Sequence, residues 1–315
     1  FLIQGSFPRY FCDYLIERKQ RIPTEKSPSR FGFVTLIGRP NVGKSTLMNQ
    51  MLGEKISIVT DKPQTTRNRI LGIYNDPDAQ IVFLDTPGIH QARTGLNLRM
   101  VQTALATLDE VDLVLFLVPP SMEFGPKDAI ITDHLKNIST PVVLVVNKID
   151  TVGRDRIIPL LQTYHEVGLF SDVIPISALT GENVNRLIDI AKQVLSEGLP
   201  LFPDDIATDQ PVRFLASEII REKVILKTRE EMPYVVAVQI ETFREEAKKN
   251  LTLIQATLCV ERASQKGILI GKKGQLLKEI GQSARLELEK LLATRIFLEL
   301  WVKVKKNWRT DDLFL

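Results

Sequence analysis

Two cysteines, Cys12 and Cys259, are all that this 315-residue chain contains. They can build no disulfide framework, and neither sits at metal-ligand spacing, so a reducing, cytosolic setting is expected. Long apolar runs are missing too. The longest, such as Val111 to Pro120, fall short of the about 18–20 residues of a membrane-spanning helix and read as buried parallel strands. Residues 1–30 hold no signal-peptide apolar region and no cleavage site. Six basic residues there (Arg9, Arg18, Lys19, Arg21, Lys26, Arg30) accompany three acidic ones (Asp13, Glu17, Glu25), more acid than a transit peptide carries. This segment is expected to be a disordered or loosely attached extension, with 24–30 as a linker.

The composition that remains, 44% apolar and 25% charged, is that of an ordinary globular protein, and the length suffices for two domains. Charge is unevenly placed. From Pro211 onward there are 20 Lys and Arg against 14 Asp and Glu, whereas the preceding part has 21 against 24. A basic module behind a mildly acidic one points to an anionic partner, nucleic acid or a membrane surface.

From Phe31 to about Gly198, apolar runs alternate with helical patterns. Strands are expected at 33–37, 69–74, 80–84, 112–118, 142–146 and 173–176, and helices at 44–52, 97–107, 126–136, 154–165 and 183–195. That alternation predicts an α/β fold, a mostly parallel doubly wound sheet with helices on both faces. Residues 199–210, rich in proline and aspartate, read as a linker. The second domain, 211–315, shows a helix near 211–229, strands near 233–242 and 251–262, a helix–loop–helix over 264–292 and a strand near 295–304.

The chemistry sits on loops at strand ends. Gly38-Arg39-Pro40-Asn41-Val42-Gly43-Lys44-Ser45 follows an apolar strand and opens into the helix of Thr46. It fits the phosphate-binding loop, in which backbone N–H groups and a helix N-terminus cradle phosphate. Lys44 would reach the β- and γ-phosphates, and the Ser45 hydroxyl would ligate magnesium. Asp85-Thr86-Pro87-Gly88 follows the 80–84 strand. Asp85 would hold magnesium through a water, and the Gly88 N–H would meet the γ-phosphate. Asn147, Lys148 and Asp150 close the 142–146 strand as N-K-x-D. The Asp150 carboxylate would accept from N1–H and the 2-amino group of guanine, a donor pair that adenine lacks. Asn147 would tie this loop to the phosphate loop, and the Lys148 stem would lie along the base. Ser177-Ala178-Leu179 would bring the Ala178 N–H toward guanine O6. Between these elements lies Lys62-Pro63-Gln64-Thr65-Thr66-Arg67-Asn68-Arg69. A threonine there, Thr66 or else Thr65, would complete the magnesium shell only with γ-phosphate present, which makes the segment a switch.

Ile270-Gly271-Lys272-Lys273-Gly274 is an I-G-x-x-G turn between two short helices. In α-β-β-α-α-β order it reads as a type II KH module, whose loop clamps a nucleic-acid backbone. Lys272 and Lys273 supply phosphate contacts, and Ile270 and Lys278 flank the clamp. The basic end, Lys303, Lys305, Lys306 and Arg309, reads either as a further contact or as solvated edge charge.

Taken together, G-R-P-N-V-G-K-S-T, K-P-Q-T-T-R, D-T-P-G, N-K-I-D, S-A-L and the end around Glu299 to Trp308 resemble the Era GTPases, within the translation-factor-related class. The resemblance runs from about Phe31 to the end of the chain. It implies slow hydrolysis of GTP with magnesium, binding near the 3′ end of 16S-type ribosomal RNA, and action in assembly of the 30S subunit by a cytoplasmic monomer. Peripheral contact with the inner membrane, in a signalling role, and a low-turnover nucleotide-sensing RNA adaptor stand as alternatives. Ile89 occupies the place where the best-known small GTPases carry a water-orienting glutamine, and His90 is one position further on. In related GTPases an asparagine placed as Asn41 is here ligates potassium, which substitutes for an arginine finger. The catalytic set implied is Lys44, Asn41 and Thr66.

Overall fold

The computed structural model describes residues 29–62, 65–89, 101–102, 104–120, 126–306 and 308. The extension over 1–28, His90 and most of the helix expected at 97–107 lie outside these residues. The chain divides into two compact units, and Ile58–Thr65 groups with the second.

The first unit is built on β1 (Ser29–Gly38), β2 (Ile70–Asn75), β3 (Ala79–Asp85), β4 (Leu113–Val118), β5 (Val142–Val146) and β6 (Asp172–Pro175), in the order β2-β3-β1-β4-β5-β6. Every pairing along this path is parallel except β2 with β3. The runs are apolar without alternation because both faces are covered: all five residues of β5 and all six of β4 are buried. Helices α1 (Lys44–Leu52), α2 (Pro126–Leu135), α3 (Arg154–His165) and α4 (Val184–Val194) connect the strands. The P-loop, Asp85, Asn147 and Ser177 all follow strand C-termini, where an open parallel sheet binds ligands.

Two departures from expectation occur near Gly198. Ser196–Gly198 forms a short strand, β7, antiparallel to the start of β1. The stretch expected as a linker then runs along the sheet edge. Gln80, itself buried, donates to the Phe202 carbonyl (2.8 Å) and accepts from the Leu201 and Phe202 N–H groups (2.7 and 2.9 Å). Further on, Ile73 N–H donates to the Ala207 carbonyl at 2.8 Å. Phe202 is buried in the main core. An edge strand has unpaired backbone groups, and this strap satisfies them.

In the second unit α5 (Val212–Lys227), β8 (Ala237–Glu246), β9 (Leu251–Val260), α6 (Ala263–Ile270), α7 (Gln275–Leu292) and β10 (Arg295–Val304) follow in the α-β-β-α-α-β order. The sheet order is β10-β9-β8. β8 and β9 are antiparallel; β9 and β10 are parallel, so they need the α6–α7 crossover. β8 starts four residues later than expected because Met232–Tyr234 is a 3-10 turn, and Pro233 there has no N–H for a ladder. Ile220, Val224, Ile254, Leu258, Leu269, Ile280 and Leu288 fill the core. Cys259 is buried with Ala237 beneath Trp308, whose indole N–H donates to the Val235 carbonyl at 3.1 Å.

Candidate functional site

The P-loop is shaped by its own backbone. Gly43 has φ +100°, and a Cβ there would lie 2.3 Å from Asn147 Nδ2, so no other residue fits without displacing the guanine-reading loop. Lys44 is buried and donates to the Gly38 and Arg39 carbonyls at 3.2 and 3.1 Å. These are stand-ins for phosphate oxygens that the same ammonium can reach. Burial pulls the Lys44 pKa down from 10.5 to about 8, against the opposing charge of Asp85. The sign follows. Without nucleotide, burial of this ammonium costs stability below about pH 8, and the cost fades as pH rises from 8 toward 10.5. A bound triphosphate restores the charge. Nucleotide binding near pH 8 is therefore expected to take up a fraction of a proton, with weaker binding at higher pH. Titration calorimetry in buffers of different ionisation enthalpy measures this, and a buffer-independent heat would show that the lysine is already fully charged.

Asp85 is fully buried, and Oδ2 accepts from Ser45 Oγ at 2.6 Å and Ser57 Oγ at 3.0 Å. Thr66 Oγ1 lies 2.9 Å from Ser45 Oγ. Burial raises the Asp85 pKa, opposed by Lys44 and by the Ser45, Ser57 and Thr66 hydroxyls. Asp85 Oδ1 is buried with no hydrogen-bond partner. An orphaned carboxylate oxygen among three hydroxyls is a hard-oxygen set of the kind magnesium takes. The residues expected from sequence to hold that ion, Ser45, Thr66 and Asp85, are thus brought together. When bound, magnesium neutralises charge on the β- and γ-phosphates.

The guanine side is equally organised. Asn147 Nδ2 donates to the Val42 carbonyl at 2.7 Å, joining the two loops. Lys148, in a left-handed conformation with φ +69°, places Nζ 2.7 Å from the Asn41 carbonyl. Asp150 Oδ1 accepts from Ser177 Oγ at 2.6 Å. The Ala178 N–H, expected to face guanine O6, is instead 2.9 Å from Asn147 Oδ1 and donates to it. A buried N–H needs a partner, and this one also locks the loop that carries Asp150. Leu179 is 75% exposed and belongs to no core. Ile89 is 1% exposed, its N–H donating to the Gly38 carbonyl at 3.1 Å, so its side chain orients no water. Thr86 Oγ1 donates to the Leu36 carbonyl at 2.8 Å, a structural tie between strands rather than a phosphate contact.

In the second unit, Gly271 has φ +71°, and a Cβ there would strike Leu276 Cβ at 2.7 Å. Glycine alone lets the chain turn this sharply into Lys272 and Lys273, both exposed. The turn opens on a groove of about 720 Å³ lined by Gly274, Leu277, Lys278, Gly281, Arg285 and Leu300, among others. Leu277 lines the groove while Ile280 is core.

Several of these residues escape a motif reading. Gly281, Arg285 and the β10 leucines of the groove do, although 274, 278, 281 and 285 repeat at helical spacing on α7, a signal that the sequence carries. Ser57 has no such signal, because a lone serine in a loop carries no pattern.

Comparison with known proteins agrees with this geometry. Residues 33–148 match the family model described as 50S ribosome-binding GTPase, and residues 231–309 match the KH domain. The GTPase Era of Geobacter metallireducens is 54% identical over 289 residues, 92% of this chain and 97% of that one. The GTPase Era of Syntrophus aciditrophicus is 52% identical over 90% of this chain and 93% of its own. A crystal structure of Era in complex with MgGDPNP and nucleotides 1506–1542 of 16S ribosomal RNA superposes with a TM-score of 0.87 at 43% identity, covering 91% of this chain and 97% of that one. An Aquifex aeolicus Era variant bound to GDP and aluminium fluoride gives the same TM-score at 42% identity, over 90% and 97%. The phosphate loop, the guanine-reading loop and the KH turn thus occur together along nearly the whole length of these relatives, and the chain belongs to the Era family of GTPases.

Proposed function

We propose that this chain is a GTP-timed RNA-binding factor of small-subunit assembly. Its first domain, 31–198, hydrolyses GTP to GDP and phosphate. Its second, 211–315, clamps RNA near the 3′ end of 16S-type ribosomal RNA. The observation that supports this most directly is the exposed Lys272–Lys273 turn at the mouth of the α7–β10 groove, in a chain whose other unit carries Asp150 as a guanine acceptor. A relative of 43% identity is described as holding MgGDPNP and a 16S fragment together. In hydrolysis Lys44 stabilises charge on the transferring phosphoryl group, Ser45 and Asp85 hold magnesium, and Thr66 joins them when γ-phosphate is present. The protein acts as a cytoplasmic monomer on the 30S subunit. The deciding measurement is RNA affinity in the GTP and GDP states, argued below.

Potassium completes the proposal. With Ile89 buried and no glutamine beside it, hydrolysis needs another source of positive charge, and Asn41 stands in the phosphate loop with φ +65°. Turnover is expected to be slow, well under the ~1 s⁻¹ of arginine-assisted hydrolysis. It should rise in potassium relative to sodium, and Asn41→Ala should lose the stimulation. Equal rates in the two salts would remove potassium from the account.

A further inference from the structure

The switch segment leaves the Asp85 cluster at Ser57 and re-enters it at Thr66. The eight residues between, Ile58–Thr65, belong to the second unit, where α5 holds both ends. Glu222 Oε1 accepts the Val59 N–H at 2.9 Å, and Arg221 Nη2 donates to the Thr65 carbonyl at 2.5 Å. These side chains are 1% and 3% exposed. Arg221 is braced by both carboxylate oxygens of Glu218. Glu222 is braced by Lys223 at 2.7 Å, and Lys223 also reaches Glu287.

Burying ionised groups is unfavourable unless each is fully bonded, and apolar residues of similar volume would serve a helix that only packed. This cluster is not fully bonded: Arg221 Nη1 is buried with no hydrogen-bond partner. The charges are spent on a loop's backbone, one residue from the Thr66 hydroxyl at the magnesium cluster.

We propose that Glu222 and Arg221 are positioning residues for GTP hydrolysis. By pinning Val59 and Thr65 they determine where Thr66 stands relative to Ser45 and Asp85. Neither touches the nucleotide; both act through the backbone of the switch. This rests on the reading of Thr66 as a magnesium ligand that engages only with γ-phosphate. The consequence is selective. A loosened segment presents Thr66 for a fraction of the time, and apparent GTP affinity falls by that fraction, while GDP affinity, which does not use Thr66, stays the same. A plain folding defect weakens both.

The test uses the full chain, Glu222→Ala, Glu222→Gln and Thr66→Ala, with two readouts: hydrogen exchange across Ile58–Thr65, and affinities for a non-hydrolysable GTP analogue and for GDP, each with magnesium. Glu222→Ala should speed exchange at Val59 and weaken the GTP analogue about tenfold, with GDP affinity within about twofold, as expected for removal of a charge-assisted bond. Glu222→Gln, whose side-chain oxygen still accepts, should retain most of the protection and the selectivity. Thr66→Ala should lower the GTP-to-GDP ratio with Val59 still protected. Unchanged exchange in Glu222→Ala overturns the clamp. Faster exchange with an unchanged ratio, while Thr66→Ala lowers that ratio, also overturns it and leaves the Thr66 reading standing. If Thr66→Ala leaves the ratio unchanged, that reading fails and the positioning proposal fails with it. Equal loss for both nucleotides in Glu222→Ala makes the role structural and overturns the proposal.

Discussion

Asp150→Asn is expected to lower GTP affinity by about 10²–10⁴-fold and to make xanthosine triphosphate the better ligand. The carboxylate is the acceptor for two guanine donors, and Ser177 Oγ at 2.6 Å from Oδ1 fixes its orientation. Asparagine removes the charge and turns one acceptor into an NH₂ that faces guanine N–H groups. Two charge-assisted bonds at about 1.5–3 kcal/mol each set that range. Xanthine carries a carbonyl in place of the 2-amino group, so the new NH₂ finds an acceptor. Competition of GTP and xanthosine triphosphate against a fluorescent nucleotide measures the switch. The loop itself is held by Asn147 to Val42 and by Ala178 to Asn147, so the variant keeps its fold. Retained preference for GTP would show that guanine is read elsewhere.

The second large effect lies in the KH turn. Lys272→Asp with Lys273→Asp reverses two exposed charges at the groove mouth. Removing one lysine–phosphate pair lowers the salt slope by about one unit. The slope of log affinity against log salt should therefore fall by about two, and RNA affinity at low salt by roughly 100-fold or more. Gly271 and Gly274 are untouched, so the backbone turn persists. Crosslinking to a small-subunit 3′-end RNA reads the effect, and GTP hydrolysis without RNA should be unchanged. Full crosslinking by the double variant would remove the turn from the RNA site.

Much of the site is legible in the sequence because its residues are local. The P-loop, Asp85 and Asn147 each follow an unbroken apolar strand, and β5, Val142–Val146, can be placed from sequence alone because both of its faces are buried. What stays hidden depends on distant partners. Glu218, Arg221 and Glu222 read as an ordinary charged helix face; they are buried only because residues more than 150 positions earlier fold onto them. The strap over 199–208 reads as a linker because prolines mask its apolar residues, and only the edge strand β2 gives it a place to bind. The Ala178 amide reads as a base contact for a related reason: a motif shows that an N–H is present but not which neighbour already accepts it.

The central claim is that the nucleotide state governs the RNA-binding event. It is tested most directly by measuring affinity for a 16S 3′-end fragment with magnesium and either GDP or a non-hydrolysable GTP analogue. Binding should be tighter in the GTP state, and the RNA should tighten the GTP analogue by the same factor, because coupling between two sites is reciprocal. Equal RNA affinity in the two states would contradict the account.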